Sequence, residues 1–141
     1  MNAGGVVSDD FIYRLSFKEI KACLDRGKGV VLDGAIRNVA QAEKYQEFFT
    51  EQGVAGDVVA IEFSMSDEAS FERLASRLAD GSGAGRADDT PEVLRERLKH
   101  QGNAALRPIA EYYKKRGALL SISGEKSIDE VYGAMVSIIR A

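Results

Sequence analysis

A chain of 141 residues fits one domain, and 45% hydrophobic with 29% charged residues is an ordinary globular balance, not a disordered one. Its net charge of -3 and sequence pI near 5.3 give no basic footprint for nucleic acid, and no apolar run approaches the roughly 20 residues a membrane helix needs. Cys23 is the only cysteine, which excludes an internal disulfide and a cysteine-built zinc site.

The opening Met-Asn-Ala-Gly-Gly has neither the basic end nor the apolar stretch of a signal peptide, so the expectation is a soluble cytoplasmic protein. Ser8 is placed to cap a helix with Asp9 and Asp10 in its first turn, where acidic groups suit the helix dipole. Phe11, Ile12, Leu15, Ile20, Cys23 and Leu24 recur at roughly helical spacing, and Gly27 ends the run. Gly29-Val30-Val31-Leu32 is a β-branched run that reads as a buried strand. A helix is expected from Val39 to Gln52, closed by Gly53, and then a second strand over Asp57–Phe63. Ser66 caps a helix carrying Phe71, Leu74, Ala75 and Leu78. The stretch Asp80–Gly85 is glycine-rich and flexible in composition. Thr90-Pro91 starts a helix that runs towards Arg116, weakened at Gly102 and kinked or restarted at Pro108. Leu119–Ser123 reads as a third strand. Ser127-Ile128-Asp129-Glu130 is a capping box for a last helix with Ile128, Val131, Met135, Ile138 and Ile139 on one face.

Strands alternating with helices imply an α/β domain with a parallel sheet. Three strands is few for such a sheet, which by itself suggests a missing element.

Leu32-Asp33-Gly34-Ala35-Ile36-Arg37 sits at the carboxyl end of the first expected strand, where open α/β sheets bind ligands. Asp33 suits a magnesium ion held through water, Arg37 a phosphate held by two parallel hydrogen bonds, and Gln41 a purine edge. Taken alone, the stretch favours a plainer reading: a helix-capping aspartate and a solvated arginine. Arg73 and Arg77 lie one turn apart, and Arg97 lies eleven residues, about three turns, after Arg86. Phosphoryl transfer needs such a cluster to neutralise charge spread over several oxygens. For each arginine taken alone, an ordinary surface arginine paired weakly with Asp88, Asp89 or Glu92 is the favoured reading. His100 and Cys23 have no partner in a catalytic motif and read as structural or solvated.

Taken together and in order, these segments resemble the adenylate kinase family of nucleoside monophosphate kinases. Leu32-Asp33-Gly34-x-x-Arg37-x-x-x-Gln41-Ala42 is similar to the family's monophosphate-binding signature, and Gly4–Asp10 to the segment before it. Arg73-x-x-x-Arg77 resembles the start of its mobile lid, and Arg86-Ala87-Asp88-Asp89 with Arg97 the lid's end and returning helix. Pro108–Tyr113 and Ile122-Ser123-Gly124 with Ile128–Val131 resemble its last segments.

The resemblance implies a P-loop kinase-like fold, a parallel sheet with helices on both faces. It divides residues 1–141 into a monophosphate-binding part and core (1–65), a short lid region (66–100) and a carboxy-terminal core (101–141). It also implies reversible phosphoryl transfer from ATP to AMP or a related monophosphate, with magnesium and no zinc. Gly5, Val6, Val7, Gly34, Arg37 and Gln41 would contact AMP. Arg73, Arg77, Gly124 and Lys126 would hold ATP, and Arg77, Arg86 and Arg97, with Asp33 towards magnesium, would serve the transfer itself. ATP and AMP are the expected partners, with no nucleic acid and no membrane.

Three departures qualify this. No Gly-x-x-x-x-Gly-Lys-Ser/Thr occurs in the 141 residues. In the family, that loop and the first, central strand precede the position matched by Met1. The expectation is therefore an incomplete chain, inactive alone, with a complementing amino-terminal segment or second chain as partner. Ala35-Ile36 replaces the family's usual Phe-Pro, and a cis bond costs about 2.5–4 kcal/mol without proline. Only eight residues separate Arg77 from Arg86, as in short-lid members. The alternatives are a non-catalytic nucleotide-binding or interaction module and a truncated product without activity.

Overall fold

The computed structural model describes residues 9–79 and 90–139. Within them the chain runs α1 (Asp9–Leu24), α2 (Val39–Glu51), β1 (Ala60–Ser64), α3 (Asp67–Ala79), α4 (Pro91–Gln101), α5 (Asn103–Lys115), β2 (Leu119–Ser123) and α6 (Ile128–Ile139). Among these residues no helix is long and apolar enough to cross a membrane.

Local chemistry sets the helix ends. Asn38 Oδ1 accepts Gln41 N–H at 2.8 Å, Ser66 Oγ accepts Ala69 N–H at 3.2 Å and Thr90 Oγ1 accepts Val93 N–H at 3.3 Å. The capping box before α6 forms as expected: Ser127 Oγ accepts Glu130 N–H, and Glu130 Oε2 accepts Ser127 N–H at 3.1 Å. The Ser127 hydroxyl, donating to Glu130 Oε2 at 2.6 Å, together with that N–H bond holds the Glu130 carboxyl below the usual carboxylate range. The cap expected at Ser8 lies outside the described residues.

Helices α1, α2 and α5 all stop on a left-handed glycine, Gly27, Gly53 or Gly117, with φ of 68°, 74° and 69°. Each stop carries the same bond pair, as in Gly53 N–H to Thr50 O and Val54 N–H to Phe49 O, both 3.0 Å. A side chain there would force L-residues into a conformation costing about 1–2 kcal/mol.

The best-formed core lies between α1 and α2. Ile20, Tyr45, Phe48 and Phe49 are buried together, and Phe17 stacks on Phe48 with ring centroids 4.2 Å apart. Tyr45, fully buried, donates its hydroxyl to Ser16 Oγ at 2.9 Å, so its polar end is satisfied inside the cluster. Val30, Leu32, Ala35, Ile36, Val54 and Val58 pack against this cluster.

The sheet consists of β1 and β2 in parallel, in register from Ala60 opposite Leu119 to Ser64 opposite Ser123. The helices surround it, an α/β arrangement consistent with a P-loop kinase-like fold. Two expected strands are corrected. Residues 29–32 do not form a strand: they sit against the α1–α2 core through side chains, and Val31 is 92% exposed. Among the described residues none of 29–36 takes part in a backbone–backbone hydrogen bond. The β-branched run has the composition of a strand, but among the described residues no strand lies beside it to complete a ladder. The second expected strand begins later, because Ala55–Asp57 form a 3-10 turn and pairing starts at Ala60.

The helix expected from Thr90 to Arg116 is two helices that meet at Gly102, six residues before Pro108. A Cβ at Gly102 would collide with the Leu98 carbonyl, so the break sits where only glycine fits. Pro108 lies inside α5 on an exposed position. Asn103, the first residue of α5, uses its side-chain amide to donate to Met65 O at 2.8 Å and Asp67 Oδ1 at 2.9 Å. This ties α5 to the loop that leaves β1.

Candidate nucleotide site

Because β1 and β2 are parallel and paired end to end, the loops that follow them emerge side by side. Gly124 extends the ladder by one step, donating its N–H to Ser64 O at 2.7 Å. It is buried there, and a Cβ would stand 3.3 Å from both Ser64 O and Met65 Cε. Beyond it, Glu125 Oε1 accepts Ser66 N–H at 2.9 Å. That bond, the Ser66 hydroxyl and the nearby Arg73 guanidinium hold the Glu125 carboxyl below the usual carboxylate range.

Arg73 stands on α3, about two turns beyond the Ser66 cap. Its Nη2 donates to the Lys126 carbonyl at 3.1 Å. Ser66, Ala69, Glu72, Arg73, Ser76 and Glu125 line a depression of ≈ 500 Å³ between α3 and the loop after β2. Three residues expected to hold ATP, Arg73, Gly124 and Lys126, therefore meet at one corner although some fifty residues of chain separate the first from the last.

The second expected cluster lies on the turn between residues 32 and 39. Gly34 has φ 66°, which turns the chain sharply, and every described peptide bond is trans, including that before Ile36. Arg37 Nε donates to Gly34 O at 3.0 Å, which holds the guanidinium over the turn. Its terminal nitrogens make no bond to a carboxylate among the described residues, so the fork that suits a phosphate is preserved. Gln41 has a local duty that its spacing did not reveal: its Oε1 accepts Arg37 N–H at 2.7 Å while its own N–H is capped by Asn38. This bond fixes the side chain against the turn.

Asp33 is exposed and makes no hydrogen bond or ion pair among the described residues. A lone open carboxylate fits contact with a hydrated magnesium ion, which binds through one or two carboxylates and the substrate phosphates and keeps several waters. Among the described residues no three acidic, histidine or cysteine side chains gather into a protein cage for a metal.

Arg77 and Arg97 run in α3 and α4, but their side chains lie outside the described residues, as do Gly5, Val6, Val7 and Arg86. Arg95 places its guanidinium 4.8 Å from the centre of the Phe71 ring, clamping α4 to α3. His100 is exposed, with Nε2 3.7 Å from Glu96 Oε2. The contacts missed from sequence are those of Glu125 with Ser66 and of Asn103 with Met65 and Asp67. Nothing in the spacing of these residues predicts them, since each joins segments more than thirty residues apart.

Comparison with known proteins gives a consistent picture. Residues 1–118 match the family model described as adenylate kinase. The chain is 36% identical over 141 residues to the adenylate kinase of Parvibaculum lavamentivorans, covering 99% of this chain and 66% of that protein. It is 35% identical over 141 residues to the adenylate kinase of Stenotrophomonas maltophilia, covering 100% of this chain and 72% of the relative. Against the adenylate kinase of Agrobacterium fabrum it is 34% identical over 142 residues, covering 99% and 71%. The chain thus spans about two thirds of the length of these curated relatives.

Proposed function

The chain belongs to the adenylate kinase family, and on that premise we propose that it supplies the monophosphate turn, lid helices and base-binding corner of a nucleoside monophosphate kinase, moving a phosphoryl group between ATP and AMP. The observation that carries this is the contact of Arg73 with the Lys126 carbonyl beside Gly124. It joins, at the ends of two parallel strands, the residues that a base-binding role requires together.

In this reading the ATP base lies in the depression beside Arg73, which Lys126 joins through its carbonyl and Gly124 through the same loop. Gly34, Arg37 and Gln41, with Gly5, Val6 and Val7, hold AMP: Arg37 takes the phosphate and Gln41 the adenine. Arg77, Arg86 and Arg97 neutralise the transferring group. No general base is required, because the acceptor is already a phosphate oxygen. Magnesium, when bound between Asp33 and the nucleotide, supplies charge neutralisation on the phosphate oxygens.

The 141 residues contain no phosphate-cradling glycine loop. We therefore place catalysis in an assembly in which an extended segment bearing that loop pairs with the open edge of β1, beside residues 30–32. By themselves these residues form a nucleotide-binding module, which is the second reading that this observation favours. Amide NMR of the whole chain tests the proposal: AMP should move the Gly34–Gln41 resonances and ATP those of Arg73 and Gly124–Lys126. A chain silent to both nucleotides at millimolar concentration would refute it.

A further inference from the structure

The loops after β1 and β2 are joined in a closed ring. Ser66 caps α3, and α3 carries Arg73 on a rigid span of about two turns. Arg73 reaches the Lys126 carbonyl at 3.1 Å, Lys126 follows Glu125 in the chain, and Glu125 Oε1 returns to Ser66 N–H at 2.9 Å. Both bridging contacts are exposed, so each is made in competition with water. Opening either one breaks the ring and leaves the loop after β2 held on this side by the other contact and the Gly124 N–H bond.

We propose that Glu125 is a positioning residue of the base-binding corner: by holding Ser66 N–H it fixes the loop after β2 against the start of α3, and so keeps the Lys126 carbonyl where Arg73 reaches it. The inference rests on the nucleotide reading above. Glu125 lines the depression, but its carboxylate is committed to Ser66 N–H, and in this reading it acts on the base through Arg73 and Lys126. The charged groups around its carboxylate are Glu72 and Arg73 from α3 and Lys126 from its own loop. The Ser66 N–H bond favours the ionised carboxylate, so this contact is strongest at neutral pH and weakens as pH falls through the depressed Glu125 value.

Amide NMR reads Ser66 directly, and ATP titration of the same samples, followed on the Gly124–Lys126 amides, reads the corner. In Glu125→Ala the Ser66 amide proton should move upfield and lose its acid-range titration, with ATP binding ~3–10-fold weaker. Glu125→Gln keeps a carbonyl acceptor. It should hold the Ser66 shift near its original position at every pH and restore most of the affinity. A Ser66 amide untouched by Glu125→Ala overturns the ring. A displaced Ser66 amide with unchanged ATP affinity overturns the positioning role. Absence of ATP binding in the unsubstituted chain removes the nucleotide reading and the positioning role together, whereas the ring itself is still decided by the Ser66 titration.

Discussion

The guanidinium of Arg73 on α3 is held by the main-chain carbonyl of Lys126, 3.1 Å away and 53 residues later in the chain. A carbonyl acceptor fixes the arginine without neutralising it, so its charge and flat face remain for a nucleotide. Arg73→Ala should weaken ATP binding by about tenfold while leaving AMP binding unchanged, as a charge-assisted contact of about 1.4 kcal/mol would. Arg73→Lys keeps the charge but loses the plane, and should recover only part of the affinity. Calorimetric titration with each nucleotide checks this, and equal loss for ATP and AMP would count against a base-side role.

Gly34 makes a sharper case at the other cluster. Its φ of 66° is strained for any L side chain, although a Cβ would meet nothing closer than Arg37 Nη2 at 3.9 Å. Gly34→Ala should therefore cost about 1–2 kcal/mol of stability through the backbone. It should also loosen the Gly34 O contact that aims Arg37, lowering AMP affinity more than ATP affinity. Denaturant unfolding and an AMP titration of one sample separate the two effects.

Much of the helical frame was legible because its signals are local. Thr90-Pro91, Ser66 and the Ser127–Glu130 box cap their helices as their residue types require, and Gly27 and Gly53 stop theirs. Pairing is not local. Val30–Leu32 has the composition of a strand, yet a strand exists only beside a partner, and the run packs by its side chains instead. The Gly102 break was partly visible, but Pro108 drew the expected restart too far along because an exposed proline is tolerated inside α5. At the site, the residue types of Arg73 and Lys126 were readable and their meeting was not, since the β1–β2 register decides it.

Arg95 and Arg97 should separate cleanly. Arg95 covers the Phe71 ring at 4.8 Å, so Arg95→Ala should cost about 0.5–1 kcal/mol of stability and little turnover in a sample supplied with a phosphate loop. Arg97→Ala and Arg86→Ala should cut turnover at least a hundredfold if they neutralise the transferring phosphoryl group, by analogy with the loss of one oxyanion donor of about 10²–10³. Small and similar effects for all three would remove the arginine cluster from the mechanism.

The α1–α2 core should behave as the stability centre of the described structure. Phe48→Ala removes a stacked, buried ring and should cost about 3–5 kcal/mol. Tyr45→Phe deletes only the hydroxyl bonded to Ser16 and should cost about 0.5–1.5 kcal/mol. Urea unfolding of the two variants should rank them in that order, and a reversed order would contradict this packing.

The most direct measurement adds to the chain a peptide with a strand and a glycine-lysine phosphate loop, then follows ADP formation from ATP and AMP with magnesium. Among the described residues, 29–36 make no backbone–backbone bond and β1 is paired on one edge only, by β2, so a partner strand has a place to add. The account predicts no ADP from the chain alone, and ADP together with a raised unfolding temperature once the peptide is present. Turnover by the unaided chain in the ordinary enzyme range of about 1–10³ per second would contradict it. So would a peptide that binds and stabilises the chain yet produces no ADP.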